Sequence, residues 1–446
     1  MTVTKVHFIN HSSLLINHGD SYIWTDPLFS STAFETMLSS PPMSVHPAYL
    51  LALSKSSADF YILISHGHDD HIDDRLLKLF AHCKIVTTKF QSPSVVNRLK
   101  RAGFVDVIEI DTTPTQCGVF ELSGFINSSY SLDDSLQLIN APDLSVIHAN
   151  DCWWPLPDNH LATLKERLRP TSLLASQIGV ADSFPGGYNC FTDEEKTQLQ
   201  SARTRTQIVS GAKNFINLDA TYFLHYAAHL KTFSTNVRAN EMSGFVSREF
   251  VNQTLAQEQL SVNLLDMLPG DYFEHGQVVQ GIGRKHYTED GIKQASVNFW
   301  NEYGELRYRD LELEFTVAQR NQLMDIFIDK FLAYVPQAAE AKQFRMEILE
   351  SNFEFAIDSY QRSVSFDNFA EPNRVDLAVI WEPRIADLIL GGVINFEASY
   401  IGGLGTFSSN PALKNNGHAV RWLSMFGYVW QKHLATKYVQ QVCQTK

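Results

Sequence analysis

Short apolar runs separated by turn-forming residues dominate the first half of the chain. Val6-His7-Phe8-Ile9, Leu14-Leu15-Ile16 and Ser21-Tyr22-Ile23-Trp24 predict three strands, the last closing on Thr25-Asp26-Pro27. Phe60-Tyr61-Ile62-Leu63-Ile64 and Lys84-Ile85-Val86-Thr87-Thr88 predict two more, with helical spacing over Ile72–Phe80 and Ser94–Arg101. Strand patterns continue at Val105–Ile110, Val119–Phe125, Leu136–Ile139 and Leu144–His148. Strands with interspersed helices predict a layered α/β (α+β) architecture rather than a bundle. From about Glu241 the pattern turns more helical. Thr316–Tyr334 and Gln343–Tyr360 predict long amphipathic helices, Val420–Gln441 a terminal helix, and Val375–Trp381 and Val393–Phe396 strands. The expected division is a first domain over 1–240 and a mixed, helix-rich region over 241–446 packed against it.

Bulk properties narrow the class. A chain of 446 residues is long for one hydrophobic core. A formal charge of −13 argues against a nucleic-acid partner or an anionic membrane surface. There is no run of eighteen apolar residues and no signal-peptide pattern in the opening MTVTKVHFIN, so no transmembrane segment and a cytoplasmic location are expected. The five cysteines, Cys83, Cys117, Cys152, Cys190 and Cys443, are odd in number and dispersed. They offer neither a disulfide framework nor a paired-cysteine metal motif.

Chemistry concentrates in His66-Gly67-His68-Asp69-Asp70-His71, directly after an apolar strand. Gly67 eases a tight loop there, from which His66 and His68 could face one metal while Asp70 and His71 face the same metal or a second. Imidazole with carboxylate suits zinc, iron or manganese. Asp26 sits at a strand end where side chains converge, and His11 in a turn between strands, where a place behind the ligands is the preferred reading. His148 and Asn150 share a face by strand alternation. Asp151, beyond them, is either a ligand or a helix cap. His225 and His229 are four apart, a spacing that on a helix makes either a ligand pair or a packing face.

The pattern His66, His68, Asp70, His71 resembles the HxHxDH motif of the metallo-β-lactamase fold superfamily. His11-Ser12-Ser13-Leu14-Leu15-Ile16 and Thr25-Asp26-Pro27-Leu28-Phe29 are similar to its branch of N-acylphosphatidylethanolamine phospholipase D and L-ascorbate-6-phosphate lactonase enzymes. Asn150-Asp151-Cys152, Leu268-Pro269-Gly270-Asp271 and Gly391-Gly392-Val393-Ile394-Asn395-Phe396-Glu397 more nearly resemble CMP-N-acetylneuraminate hydroxylase and its relatives. The resemblance implies an αββα sandwich as the catalytic domain, with metal at one sheet edge. It implies His66 and His68 on a first metal, Asp70 and His71 on a second, and Asp151 bridging, with Asp70 and Asp151 catalytic. Superfamily hydrolases add a histidine before the bridging aspartate, where this chain has Gly124-Phe125-Ile126-Asn127-Ser128-Ser129. Their last histidine has no counterpart in Gln177-Ile178-Gly179-Val180-Ala181-Asp182. His148, His225 or His229 are the candidate substitutes, and Asn127, Gln177 and Asp182 are candidates to line the pocket.

Fewer imidazoles leave more carboxylate character and more open coordination positions, which favours an oxygenase holding one or two divalent ions, iron preferred, with a polar small molecule as substrate. The hydroxylase also has an N-terminal Rieske domain. No cysteine–histidine pairs precede His66, so electrons are expected from a separate donor protein or from the substrate itself. The alternative is a zinc hydrolase of a lactone, ester or phosphodiester. A non-catalytic binding protein on a decayed metalloenzyme fold ranks third.

Overall fold

The computed structural model describes residues 2–29, 32–126, 134–152, 156–227, 230–234, 236–281, 284, 288–304, 311–334, 343–348, 353–358, 363–365, 377–408, 423, 426–427 and 429–444. The predicted early strands form as β1 (Thr4–Asn10), β2 (Ser13–His18) and β3 (Ser21–Thr25). They are followed by β4 (Met37–Ser39), β5 (Asp59–Ile64), β6 (Lys84–Thr88), β7 (Val107–Ile110), β8 (Thr115–Cys117) and β9 (Phe120–Ile126). Next come β10 (Ser135–Asn140), β11 (Ser145–Asn150), β12 (Ser172–Gln177), β13 (Tyr222–Tyr226), β14 (Leu230–Thr232), β15 (Tyr272–Glu274) and β16 (Gln277–Val279). Among the described residues, one eight-stranded sheet has the order β16-β15-β1-β2-β3-β5-β6-β7. Another of six has the order β13-β12-β11-β10-β9-β8.

Three apolar clusters make these sheets a four-layered αββα sandwich. Between the sheets lie Val6, Ile16, Leu63 and Val86 from one and Leu122, Val146, Leu173 and Leu224 from the other. On the outer face of the first sheet, Ile62 and Ile64 meet Leu50, Leu76 and Leu99. These come from helices α1 (Pro47–Ser56), α2 (Asp74–Leu79) and α3 (Ser94–Arg101). On the outer face of the second sheet, Leu174 and Phe223 meet Leu164, Phe215 and Val251. Their helices are α4 (Asp158–Arg167), α5 (Asp193–Leu218) and, after the short α6 (Val237–Met242), α7 (Arg248–Gln257). Alternation along β5 explains both faces: Tyr61 and Leu63 point inward, and Phe60, Ile62 and Ile64 outward.

Elements beyond residue 240 join the two sheets and their outer core. Tyr272 and Phe273 of β15 pair with His7 and Val6 of β1, and Val251 and Leu255 of α7 fill the outer core, so the sandwich runs on to Val279. Beyond it come α8 (Glu289–Tyr303) and α9 (Val317–Tyr334), the latter matching its predicted helix. Gln343–Tyr360 does not form the predicted helix: it gives β17 (Gln343–Ile348) and β18 (Phe353–Asp358). Phe344, Met346 and Ile348 alternate with Gln343, Arg345 and Glu347, a period of two that outranks the looser helical spacing. With β19 (Ser363–Ser365), β20 (Leu377–Trp381) and β21 (Thr406–Ser408) they make a five-stranded sheet ordered β19-β18-β17-β20-β21.

Between β20 and β21 lie α10 (Pro383–Leu390) and α11 (Phe396–Tyr400). Val393–Phe396 is therefore no strand, because the Asn395 side chain accepts the Ala398 N–H and caps α11. Of the predicted terminal helix, the described residues Leu423, Phe426, Gly427 and Val429 are helical, and a wider turn, Trp430–Leu434, leads into α12 (Ala435–Gln444). Among the described residues no helix is long and apolar enough to cross a membrane.

The C-terminal region has its own core of Phe327, Phe331, Trp381, Leu388, Phe396, Phe426 and Trp430. It docks on the sandwich through backbone bonds between Asn189 and Phe407 and between Phe407 and Gly187, and through the Thr36 hydroxyl on the Gly402 carbonyl. A buried ion pair holds this region together: Arg320 donates to both oxygens of Asp387, at 2.6 and 2.8 Å, and Asp387 also accepts the Phe315 N–H. Removing one partner strands the other charge. Asp387→Ala is expected to cost about 3–5 kcal/mol, read as an early fluorescence transition of the C-terminal tryptophans in urea. An unshifted transition would contradict this.

Candidate metal centre

The His66–His71 run leaves the C-terminal end of β5 and is tied down before it can hold anything. Arg98 of α3 donates to the carbonyls of Gly67 (2.9 Å) and Ile72 (3.1 Å) and pairs with Asp69 and Asp74, both at 2.9 Å. Asp73 caps α2 by accepting the N–H groups of Arg75 and Leu76. One guanidinium and one cap thus hold both ends of a loop that has no internal ladder.

Three sets of side chains converge there, each with donor atoms within 4.8 Å of one another: His66, His68 and Asp134; His11, Asp70 and His71; and His66, His71 and Asp151. Asp151 stands between the first two. One of its oxygens is 3.5 Å from His66 Nε2 and 3.7 Å from His68 Nδ1, the other 3.8 Å from His71 Nε2. The ligating atoms crowd one another, with His66 Nε2 only 2.8 Å from His68 Nδ1. Among the described residues, His71 Nε2, Asp70 Oδ1 and Asp134 Oδ1 are buried without a hydrogen-bond partner. Buried polar atoms without partners, in residues whose donor atoms cluster, fit bound cations that would satisfy them.

Behind this set, Asp26 accepts from the Ser65 N–H (2.8 Å) and hydroxyl (2.7 Å) and stands 2.7 Å from His71 Nδ1. That contact leaves Nε2 as the free face of His71, the carboxylate–histidine arrangement of metal sites. Ser65 Oγ is also 2.9 Å from His66 Nδ1. Asp26 and His11 both have left-handed backbone, φ 38° and 36°, which is uncommon outside glycine and is a form of strain found at functional sites.

Electrostatics follow from burial and crowding. Burial opposes ionisation of Asp151, but hydrogen bonds with His66 and His68 and the charge of His71 hold it well below the usual carboxylate range. Burial alone lowers His68, yet Asp151, Asp134, Glu397 and Asp70 together raise it to about 10. His71 is likewise raised by Asp70 and Asp26 against its burial. Glu397 of α11 is raised by burial and by Asp69, Asp70 and Asp134, with His68 opposing. The C-terminal region therefore brings a carboxyl group within electrostatic reach of the centre.

Sequence-predicted residues divide as follows. His66, His68, Asp70, His71 and Asp151 come together. His11, expected behind the ligands, instead puts Nε2 3.2 Å from Asp70 Oδ2, inside one group. His148 lies outside all three groups, with its nitrogens 3.0 Å from Gln137 Oε1 and the Ser12 carbonyl. His225 sits in strand β13, not a helix, lies outside the groups and is lowered to about 4 by burial and Arg248. Gln177 is buried at the end of β12. Asp182 is clamped by Arg203 at 2.8 and 2.6 Å. Asn127 and His229 lie outside the described residues. Sequence reasoning missed Asp134, whose one signal is a carboxylate immediately before the apolar run of β10.

In metal-free protein the raised His68 and His71 contribute stability that is fully present below the unfolded value of 6.5 and is lost as pH climbs toward about 10. The melting temperature of chelator-treated protein should therefore fall across that window, and Asp151→Asn should flatten the fall. A wild-type profile with no slope there would refute the pairing.

Residues 5–167 match the beta-lactamase superfamily domain. No curated protein matches the sequence. Among solved structures, the chain is similar to Igni18, a metallo hydrolase from the hyperthermophilic archaeon Ignicoccus hospitalis. The identity is 16%, the TM-score 0.40, and the alignment covers 61% of this chain and 98% of that one. It is also similar to CmlA, a diiron beta-hydroxylase from Streptomyces venezuelae, at 16% identity and a TM-score of 0.39, over 61% of this chain and 53% of the other. For an isothiocyanate hydrolase from Delia radicum gut bacteria the identity is 12% and the TM-score 0.36, over 60% and 98%.

Proposed function

We propose that this chain, whose residues 5–167 match the beta-lactamase superfamily domain, is an iron-dependent oxygenase acting on a polar small molecule. The donor set carries the reading. His66, His68 and Asp134 make one half-site, and His11, His71 and Asp70 the other, with Asp151 between them. Each half is two imidazoles and one carboxylate, the combination of non-haem iron sites with open positions; zinc hydrolases use the same set, so the metal retained decides between the two. Iron held this way supplies redox chemistry at its open positions.

The chain's own residues have defined tasks. Asp151 reaches both half-sites and holds them in register. Asp26 keeps the His71 Nδ1 proton on the side away from the centre, so Nε2 faces inward. His11, Asp70 and Asp134 are buried. His68 and Asp151 are 40% and 20% exposed, which marks the side from which a substrate approaches. Phe34 packs edge-on to His68 at that side, and Glu397 adds a carboxyl group for a polar substrate to meet. Electrons come from a separate donor protein or from the substrate.

Elemental analysis of protein purified without added metal tests the reading. Iron is expected at up to two atoms per chain, one per half-site. Asp134→Ala should weaken iron retention more than about tenfold, which is more than loss of an outer partner at the low end of its range. Zinc alone, retained equally by Asp134→Ala, would overturn the oxygenase and favour hydrolysis of a lactone, ester or phosphodiester.

A further inference from the structure

The three imidazoles of the His66–His71 loop are not held alike. His66 has Ser65 Oγ 2.9 Å from its Nδ1, and His71 has Asp26 Oδ2 2.7 Å from its own. A partner of this kind sets which ring nitrogen faces the centre. His68 is turned the other way: its Nδ1 faces inward, 2.8 Å from His66 Nε2 and 3.7 Å from Asp151. Among the described residues no hydrogen bond reaches its outward nitrogen, although its side chain is the most open of the three. Two rings flank it instead. The His66 centroid is 4.5 Å away, and that of Phe34, edge-on at 61°, is 6.4 Å away. His66 belongs to the same ligand set, so among the described residues Phe34 is the ring that supports His68 from outside the centre.

Phe34 reaches that place through a strained turn. The backbones of Ala33 and Met37 bond each other at 2.8 and 2.9 Å, and the Thr36 N–H donates to the Ala33 carbonyl at 3.2 Å. Phe34 and Glu35 at the tip both have left-handed backbone, φ 48° and 66°. A turn with two such residues favours Asn-Gly, because a Cβ is strained there. Bulky residues keep this conformation only where their surroundings over-determine it. Leu28, Met37 and Leu230 bury the Phe34 ring, with Ile401 packed beside them. The Phe233 N–H donates to the Thr36 carbonyl at 2.9 Å, and the Thr36 hydroxyl donates to the Gly402 carbonyl. Gly402 lies so close to the Phe34 carbonyl that no side chain would fit between them. Residues after β14 and after α11 thus pin the turn from two sides.

We infer that Phe34 is a positioning residue for His68, its ring edge standing in for the hydrogen bond that orients the other two loop histidines. This role rests on the metal-centre reading and not on the oxygenase. At the open side of the site, water competes for any hydrogen bond behind His68. A packed ring edge meets no such competitor, and a turn pinned from two sides does not yield to it. The strain at Phe34 and Glu35 then has a use: it delivers a ring to the one loop histidine that lacks a polar partner behind it among the described residues.

Zinc dissociation constants of the full chain, from competition with a chelating dye, test this role. Phe34→Leu keeps apolar bulk and loses the ring edge. It should weaken zinc binding about 2–10-fold, the worth of one edge-to-face contact. Phe34→Tyr keeps the ring and should bind zinc as the unaltered chain does. Leu230→Ala loosens the same apolar cluster from β14; it should lower the melting temperature and leave zinc affinity unchanged. In His68→Ala protein, Phe34→Leu should cause no further loss, because the contact it removes is already gone. Unchanged affinity in Phe34→Leu, an equal loss in Leu230→Ala, or a further loss on His68→Ala would each overturn the inference and leave Phe34 as packing. If Phe34→Leu does not fold, Phe34→Met carries the same expectation. If the unaltered chain binds no zinc, the metal-centre reading falls and this role with it, whereas a lack of iron in purified protein touches the oxygenase alone.

Discussion

Everything at this centre depends on one constraint: three carboxylates and four imidazoles are gathered where most of them have no water. His11, His66, His71, Asp70 and Asp134 are buried, and an isolated buried charge costs far more than a folded chain has to spare. The sequence meets that cost in layers. Ser65 gives Asp26 two hydrogen bonds, Asp26 gives His71 a partner, and Ser12 stands 3.1 Å from the same ring nitrogen. Among the atoms left unmet at the centre are Asp70 Oδ1, His71 Nε2 and Asp134 Oδ1. A metal-binding domain is the arrangement in which such atoms are an advantage.

The sandwich follows from the same requirement. The His66–His71 loop and His11 belong to the first sheet, while Asp134 and Asp151 flank strands β10 and β11 of the second. The His66, His68, Asp134 group, and the reach of Asp151 to His66 and His71, need both sheets to end at the same height. The polar bridge that sets this height runs from Ser65 through Gln137 and His148 to Ser12. It links the loop before the histidines to the turn that carries His11. Above it, Leu63 and Val86 meet Val146 in apolar packing. The sheets are thus held by non-directional contact in the middle and by directional bonds at the end where distances matter.

How much of this the sequence disclosed depends on how local each signal is. His66, His68, Asp70 and His71 are adjacent and follow an apolar strand, so pattern alone finds them. Asp26 and Asp151 are found because each ends a strand. His11 and Asp134 are ordinary by local pattern. His11 lies in a two-residue turn, and its left-handed backbone, which turns its ring toward Asp70, is a tertiary property. His148 is one of the candidate substitutes that spacing alone leaves open; in the structure the Ser12 carbonyl and the Gln137 and Asn150 amides lie against its nitrogens. The missed strands β17 and β18 are a different kind of error, since alternation from Phe344 to Ile348 was present and lost to a longer window.

The C-terminal region shows why a centre with complete ligand sets still needs more chain. All the side chains that could hold metal among the described residues lie before residue 152, so the later part is not required for coordination. It is nevertheless anchored beside the exposed side of the site. Ile401 packs against the cluster of Leu28, Phe34 and Met37, Thr36 bonds Gly402, and Gly402 lies so near the Phe34 carbonyl that a side chain there would collide with it. A glycine at that point lets α11 approach closely enough for Glu397 to feel the charges of His68 and Asp70. Ligands drawn from the sandwich fix what chemistry a bound ion can do. Glu397, drawn from a separate core, lies within electrostatic reach of His68 and Asp70 without belonging to any of the groups that could hold an ion.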